Sequence, residues 1–151
     1  MEEAIKNFPN QFAWDPIIEN AGALKSFKKF LLVGMGGSAH AGNLMQTIDP
    51  SIDLVIHRDY DIPKIAEDFM QDRLVIASSY SGNTKEVLSA FEEAIKKKIP
   101  VCAISIGGKL LEFAKNQGVP YIQIPWPASW PKTVLFVIRA PSPSITHIPR
   151  S

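Results

Sequence analysis

Leu74-Val75-Ile76-Ala77 runs into Ser78-Ser79-Tyr80-Ser81-Gly82-Asn83-Thr84, and that stretch leads into Lys85-Glu86-Val87-Leu88-Ser89-Ala90-Phe91. The first block is a short, continuous apolar run, as a strand buried on both faces requires. The last carries its apolar residues at helical spacing. Between them lies a turn with one glycine and several hydroxyls. Ser78, Ser79, Ser81 and Thr84 offer O–H groups, and the first helical turn offers N–H groups without intrahelical acceptors. Those amides and the positive end of the helix dipole favour an anion such as a phosphate. The loop holds no Lys or Arg, so backbone and hydroxyls would do the holding. Ordinary capping by Ser and Thr explains the same residues, and the loop alone does not separate the two readings.

Working outward, Phe30-Leu31-Leu32-Val33 reads as the first strand. It ends in Gly34-Met35-Gly36-Gly37-Ser38, with a helix expected over Ala39 to Ile48. Asp53 to His57 is a second strand and Leu74 to Ala77 the third. A helix over Thr84 to Lys98 precedes a fourth strand within Ile99 to Ser105. Lys109 to Asn116 reads as a short helix closed by Gly118 at C′, and Val119 to Ile124 as a fifth strand. Alternating strands and helices imply an α/β fold: a single doubly wound parallel sheet with helices on both faces. Residues 1–29 are expected as an N-terminal helical segment. There Asp15-Pro16 forms the cap and first turn, with Ile17, Ile18, Ala21 and Leu24 on one face. Residues 125–151 hold six of the twelve prolines, and no Asp or Glu follows Glu112. Thr133 to Ile138 could add one strand, but Ala140-Pro141-Ser142-Pro143 reads as an extended tail. The expected division is therefore 1–29, 30–125 and a divergent, Pro-rich 126–151.

At 151 residues the chain is long enough for one domain with a real core. Its 46% hydrophobic and 21% charged content is that of a water-soluble globular protein. A net charge of +1 gives no electrostatic reason to expect nucleic acid or an acidic membrane as partner. Cys102 is the one cysteine, which excludes an intrachain disulfide and a cysteine metal cluster. Within Val101-Cys102-Ala103-Ile104 it reads as a small core residue. Glu2 and Glu3 with no apolar stretch behind them do not read as a secretory signal, and no apolar run reaches the ~20 residues that span a bilayer. The expected location is cytoplasmic.

Gly34-Met35-Gly36-Gly37-Ser38-Ala39 also fits a dinucleotide fingerprint, with Gly34, Gly36 and Ala39 in its three positions. Asp59 would then meet the ribose, or Arg58 a 2′-phosphate. The hydroxyl loop is similar to a flavodoxin phosphate loop, but that loop follows the first strand and this one the third. Both nucleotide readings rank below a sugar-phosphate reading. Two such loops after parallel strands at one sheet edge form a joint signal, because ligands of open α/β sheets bind outside the carboxyl ends of the strands. With the first and third strands adjacent, Ser38, Ser79, Ser81 and Thr84 would surround one phosphate.

Gly34-Met35-Gly36-Gly37-Ser38, then His57-Arg58-Asp59-Tyr60-Asp61-Ile62-Pro63, then Ser78 to Thr84 occur in this order. Gly107-Gly108-Lys109-Leu110, Val119 to Pro125 and Phe8-Pro9 complete the set. In these motifs residues 5–125 resemble sugar isomerase (SIS) domains, nearest to the bifunctional phosphoglucose/phosphomannose isomerases. The resemblance implies that Gly36, Gly37 and Ser38 form one sugar-phosphate loop and that Ser79, Ser81 and Thr84 form the other. It also implies interconversion of glucose 6-phosphate or mannose 6-phosphate and fructose 6-phosphate, with no metal, nucleotide or other cofactor. A carboxylate base carries a proton between C2 and C1 through an enediol after a general acid opens the ring. The phosphate supplies binding energy that holds the sugar in reactive geometry. A sugar phosphate is the expected partner, and a homodimer the expected assembly.

The family carries two such domains, and this chain has length for one. The resemblance puts the glutamate base, the ring-opening histidine and a late lysine in the second, so no catalytic residue is assigned. Where the family has Gln-Pro-Arg after the fifth strand, this chain reads Trp126-Pro127-Ala128-Ser129-Trp130-Pro131-Lys132. A frameshifted or truncated reading frame would produce that change. A binding module without turnover, or an inactive isomerase fragment, stays beside the isomerase as an alternative. His40 and His57 suit polar positions on a first helical turn and at a strand rim. Lys96-Lys97-Lys98 suits a solvated helix C-terminus. Glu92 and Glu93 stand two turns from the loop, too far to act as base.

Overall fold

The computed structural model describes residues 15–64, 67–70 and 72–125. Phe8-Pro9 and the 126–151 tail, including Trp126, Trp130 and Lys132, lie outside the described residues. Among the described residues five parallel strands form one sheet: β1 (Lys29–Gly34), β2 (Asp53–His57), β3 (Arg73–Ser78), β4 (Val101–Ser105) and β5 (Tyr121–Gln123), in the order β2-β1-β3-β4-β5. Helix α1 (Gly37–Ile48) follows β1, the single turn α2 (Glu67–Met70) precedes β3, α3 (Lys85–Lys96) follows β3 and α4 (Gly108–Gln117) follows β4.

The sheet is doubly wound, as its continuous apolar strands require. Leu31, Val33, Val75, Ala77, Val101 and Ala103 pack with Val87, Ala90, Phe91 and Ala94 of α3 and Leu110 and Ala114 of α4. The opposite residues, Leu32, Leu54, Ile76 and Ile104, pack with Met45 of α1 and with Leu24 and Phe27. Gly42 lets α1 lie close on β1 and β2. A Cβ there would come within 2.6 Å of Leu32 Cδ2 and 2.9 Å of Ile56 Cδ1. Cys102 belongs to the second layer, and burial pushes its thiol up to about 12, so it stays protonated.

The helix expected from Asp15-Pro16 is absent. Residues 15–18 have no regular structure, Ala21–Ala23 is one 3-10 turn, and Ile17 is 72% exposed. Glu19 instead pairs antiparallel with Tyr121, through Glu19 N–H to Tyr121 O (2.9 Å) and Tyr121 N–H to Glu19 O (3.2 Å). Asn20 Nδ2 donates to Val119 O at 3.2 Å. The outer backbone groups of Tyr121 are thereby satisfied. A strand edge needs such partners more than four apolar side chains at helical spacing need a helix.

Two clamps fix the connections around β2 and β3. Arg73, 5% exposed, donates to Phe69 O (2.9 Å), Phe30 O (3.2 Å) and Asp53 Oδ1 (2.7 Å), and its guanidinium lies 4.0 Å from the centre of the Phe69 ring. After β2, Ile62 N–H donates to Glu93 Oε2 (2.5 Å), Lys97 Nζ lies 2.5 Å from Glu93 Oε1, and Ser89 donates to Asp61. The Ile62 amide, then Lys97, holds the Glu93 carboxyl below its ordinary value of 4.5. A depressed carboxylate pKa stabilises the fold above the unfolded value, and that contribution disappears as pH falls through the folded value. Glu93→Gln is therefore expected to cost stability at pH 7, with the gap from the parent chain narrowing below pH ~4.5. Urea melts of both chains at pH 7 and pH 3 check this; a gap independent of pH would refute it.

Candidate phosphate-binding site

The order β2-β1-β3 reverses direction between β1 and β3, which opens a crevice beyond their carboxyl ends. Register brings the two loops together there, because Gly34 of β1 lies beside Ser78 of β3. The adjacency on which the joint reading of the loops depended is therefore present. The classical dinucleotide order runs 3-2-1-4-5-6. The order here is the flavodoxin-like one, but with the hydroxyl loop after β3 instead of β1. The nucleotide readings of Gly34–Ala39 lose their support. Asp59 accepts from Tyr60 N–H (2.7 Å), and Arg58 donates to Asn43 Oδ1 (3.1 Å), so both are engaged in local bonds.

Thr84 stands at the N-cap of α3, yet its side chain makes no capping bond. Its hydroxyl lies 2.8 Å from Ser79 Oγ instead. Ser79 is 2% exposed, and its hydroxyl also accepts from Gly82 N–H at 3.1 Å. Ser79 thus orients Thr84 from beneath the loop. Ser81 is exposed, and its Oγ accepts from Asn83 N–H at 3.2 Å, leaving the hydroxyl proton for an outside acceptor. Backbone bonding around α3 begins with Leu88 N–H to Thr84 O, so the amides of Lys85, Glu86 and Val87 have no acceptor among the described residues. A pre-set cluster of amides and hydroxyls results, with the dipole of a twelve-residue helix behind it.

The other two helix N-termini at this edge are less open. At α1, Ser38 N–H donates to Met35 O, and Ala39 and His40 N–H donate to Gly36 O. This leaves the Gly37 amide and the half-buried Ser38 hydroxyl. Gly36 takes φ +49 at the turn, a conformation suited to glycine. At α4, Lys109 N–H donates to Asn83 Oδ1 (3.2 Å) and Leu110 N–H to Gly82 O (2.9 Å). Sequence reasoning passed over Asn83, Ser105 and Gly107-Gly108 as parts of the site. Ser105, fully buried, donates to Gly107 O at 2.7 Å and accepts from Gly107 N–H at 3.2 Å. The signal available was the Ser-x-Gly-Gly turn Ser105-Ile106-Gly107-Gly108 at a neighbouring strand end. Among the described residues no group of three or more His, Cys, Asp or Glu is placed to hold a metal.

No protein-family model matches the chain. Individual relatives do. The bifunctional phosphoglucose/phosphomannose isomerase of Caldicellulosiruptor bescii is 41% identical over 133 residues, covering 83% of this chain and 38% of that protein. Its counterpart in Aquifex aeolicus is 36% identical over 132 residues, covering 83% and 39%. Over that span the chain is homologous to the bifunctional phosphoglucose/phosphomannose isomerases. It spans under two fifths of the length of these isomerases. The D-glucosamine-6-phosphate 4-epimerase of Sulfolobus acidocaldarius is also similar, at 31% identity over 76% of this chain and 36% of that protein. Among solved structures, Escherichia coli tagatose-6-phosphate ketose/aldose isomerase superposes with a TM-score of 0.53 at 18% identity, covering 88% of this chain and 41% of that one. The Vibrio vulnificus NanR protein complexed with ManNAc-6P gives 0.52 at 18%, covering 83% and 50%. These two share the fold of this chain.

Proposed function

We propose that residues 30–125 form the phosphate-holding unit of a sugar-phosphate aldose–ketose isomerase acting on glucose 6-phosphate or mannose 6-phosphate and fructose 6-phosphate. The observation that carries this reading is the N-terminus of α3. Its cap residue turns its hydroxyl to Ser79, and three amides stay open beside Ser81 and Thr84. In this reading Ser81, Thr84 and the α3 amides take the phosphate, Ser79 sets Thr84, and Gly36, Gly37 and Ser38 bound the sugar from the β1 side. Isomerase and epimerase relatives share this part of the chain although their named chemistries differ. That suits a role in holding the phosphate common to both, with the proton-transferring groups supplied from outside the described residues. A cytoplasmic, dimeric enzyme that binds neither nucleic acid nor membrane goes with this reading, and no helix among the described residues is long and apolar enough to cross a membrane.

Titration calorimetry with glucose 6-phosphate, against unphosphorylated glucose as control, tests the site. Thr84→Ala combined with Ser81→Ala is expected to weaken binding about tenfold or more, since each removes one hydrogen bond to a charged group. Equal affinity for glucose and glucose 6-phosphate, or an unaffected double variant, would refute it. Binding without turnover is the second reading, and three carboxylates held in local bonds are consistent with it. Glu93 is bound to Ile62 and Lys97, Asp61 to Ser89 and Asp59 to Tyr60. Conversion of glucose 6-phosphate to fructose 6-phosphate by the 151-residue chain decides between them.

A further inference from the structure

The loop after β3 is bonded to the turn after β4 more extensively than to its own helix. Asn83 Nδ2 donates to Ser81 O (3.2 Å), and Asn83 Oδ1 accepts from Lys109 N–H (3.2 Å). The Gly82 carbonyl accepts from Leu110 N–H (2.9 Å), and Ile106 N–H donates to Tyr80 O (3.2 Å). Gly107, at the N-cap of α4, has no side chain to cap with, so Asn83 and Gly82 cap that helix from another loop. Packing is equally close. A Cβ on Gly108, which has φ +70, would stand 2.5 Å from Ser81 O and 3.0 Å from both Asn83 side-chain polar atoms.

We propose that Asn83 is a positioning residue: it latches Ser81 to the N-terminus of α4 and so presets the phosphate loop for a phosphorylated sugar. The inference rests on the phosphate-holding reading of Ser81 and Thr84, but the latch itself is a property of the free protein. Asn83 faces two partners at once, so neither loop reaches its bonded arrangement without the other. Capping from Asn83 and Gly82 also withdraws the Lys109 and Leu110 amides from anion binding and leaves α3 as the open helix end.

Amide hydrogen exchange on the 151-residue chain and on Asn83→Ala reads the latch directly. In the free state, Gly82, Lys109 and Leu110 amides are expected to exchange about tenfold faster in N83A, while amides of β1 stay unchanged. Unchanged exchange at all three would overturn the latch, whether or not any sugar binds. The second arm adds glucose 6-phosphate. In the parent chain it should slow exchange at Lys109 and Leu110, which lie outside the proposed phosphate contacts, and in N83A that remote protection should vanish. Affinity should fall about five- to tenfold. Parent-like affinity and remote protection in N83A would overturn the positioning role. Absence of glucose 6-phosphate binding to the parent chain would refute the phosphate reading and the positioning role built on it, leaving the free-state result to decide whether the latch exists.

Discussion

Gly82→Ala is expected to unfold the chain at temperatures where the parent is fully folded. Gly82 takes φ +71, where any other L-residue is strained by about 1 kcal/mol. The larger effect is steric. A Cβ would fall 1.8 Å from the Gly107 carbonyl oxygen and 2.7 Å from Ser105 Oγ. Both atoms are fixed, because Ser105 is fully buried and bonded to Gly107 through its hydroxyl. Relief requires the two loops to part, breaking Leu110 N–H to Gly82 O and the Asn83 bonds. Overpacking and lost bonds add to the strain, for a total of about 3–5 kcal/mol. At about 4–8 °C per kcal/mol for a domain near 100 residues, the melting temperature should fall by more than ~12 °C. A thermal melt followed by far-UV circular dichroism measures this. A drop of only a few degrees would mean that the loops separate freely.

Arg73→Met is expected to have an effect of similar size from the other end of the sheet. Methionine preserves much of the apolar stem but leaves the Phe30 and Phe69 carbonyls and the Asp53 carboxylate without the guanidinium. The pair is asymmetric: the Arg73 side chain is 6% exposed, that of Asp53 44%. Asp53 recovers water when its partner goes, whereas the two carbonyls do so only in part. The expected loss is about 3 kcal/mol, most of it from unsatisfied backbone acceptors. Asp53→Asn should cost about 1 kcal/mol or less, because the exposed carboxylate is screened. Denaturant midpoints of the two single variants and the double variant check the ordering. Equal losses from R73M and D53N would show that the ion pair, and not the carbonyl contacts, carries the clamp.

Much of the fold was legible because buried parallel strands are written as uninterrupted apolar runs. Phe30–Val33, Leu74–Ala77 and Val101–Ile104 each lie within an observed strand. Doubly wound packing followed from their alternation with helices. The strand order did not follow, since nothing in Gly34 or Ser78 encodes that they are neighbours. The helix expected from Asp15-Pro16 failed for a related reason. Ile17, Ile18, Ala21 and Leu24 have helical spacing, but Glu19 and Asn20 find partners at Tyr121 and Val119, far along the chain. The turn α2 carries too few residues to show a period. At the site, the hydroxyl loop was visible from residue types. Thr84 turning from its own helix toward Ser79, and Asn83 capping α4, are tertiary facts that residue types do not state.

The antiparallel contact of Glu19 with Tyr121 has a consequence for the order in which the molecule assembles. Asn20 and Val119, joined by one hydrogen bond, stand 99 residues apart in sequence. Closing so long a loop is entropically unfavourable until the intervening chain has collapsed. The outer strand positions are filled only once β5 exists, although Glu19 is synthesised well before it. The segment synthesised early is thus the last to dock, and until it does, β5 presents its backbone to any other strand within reach.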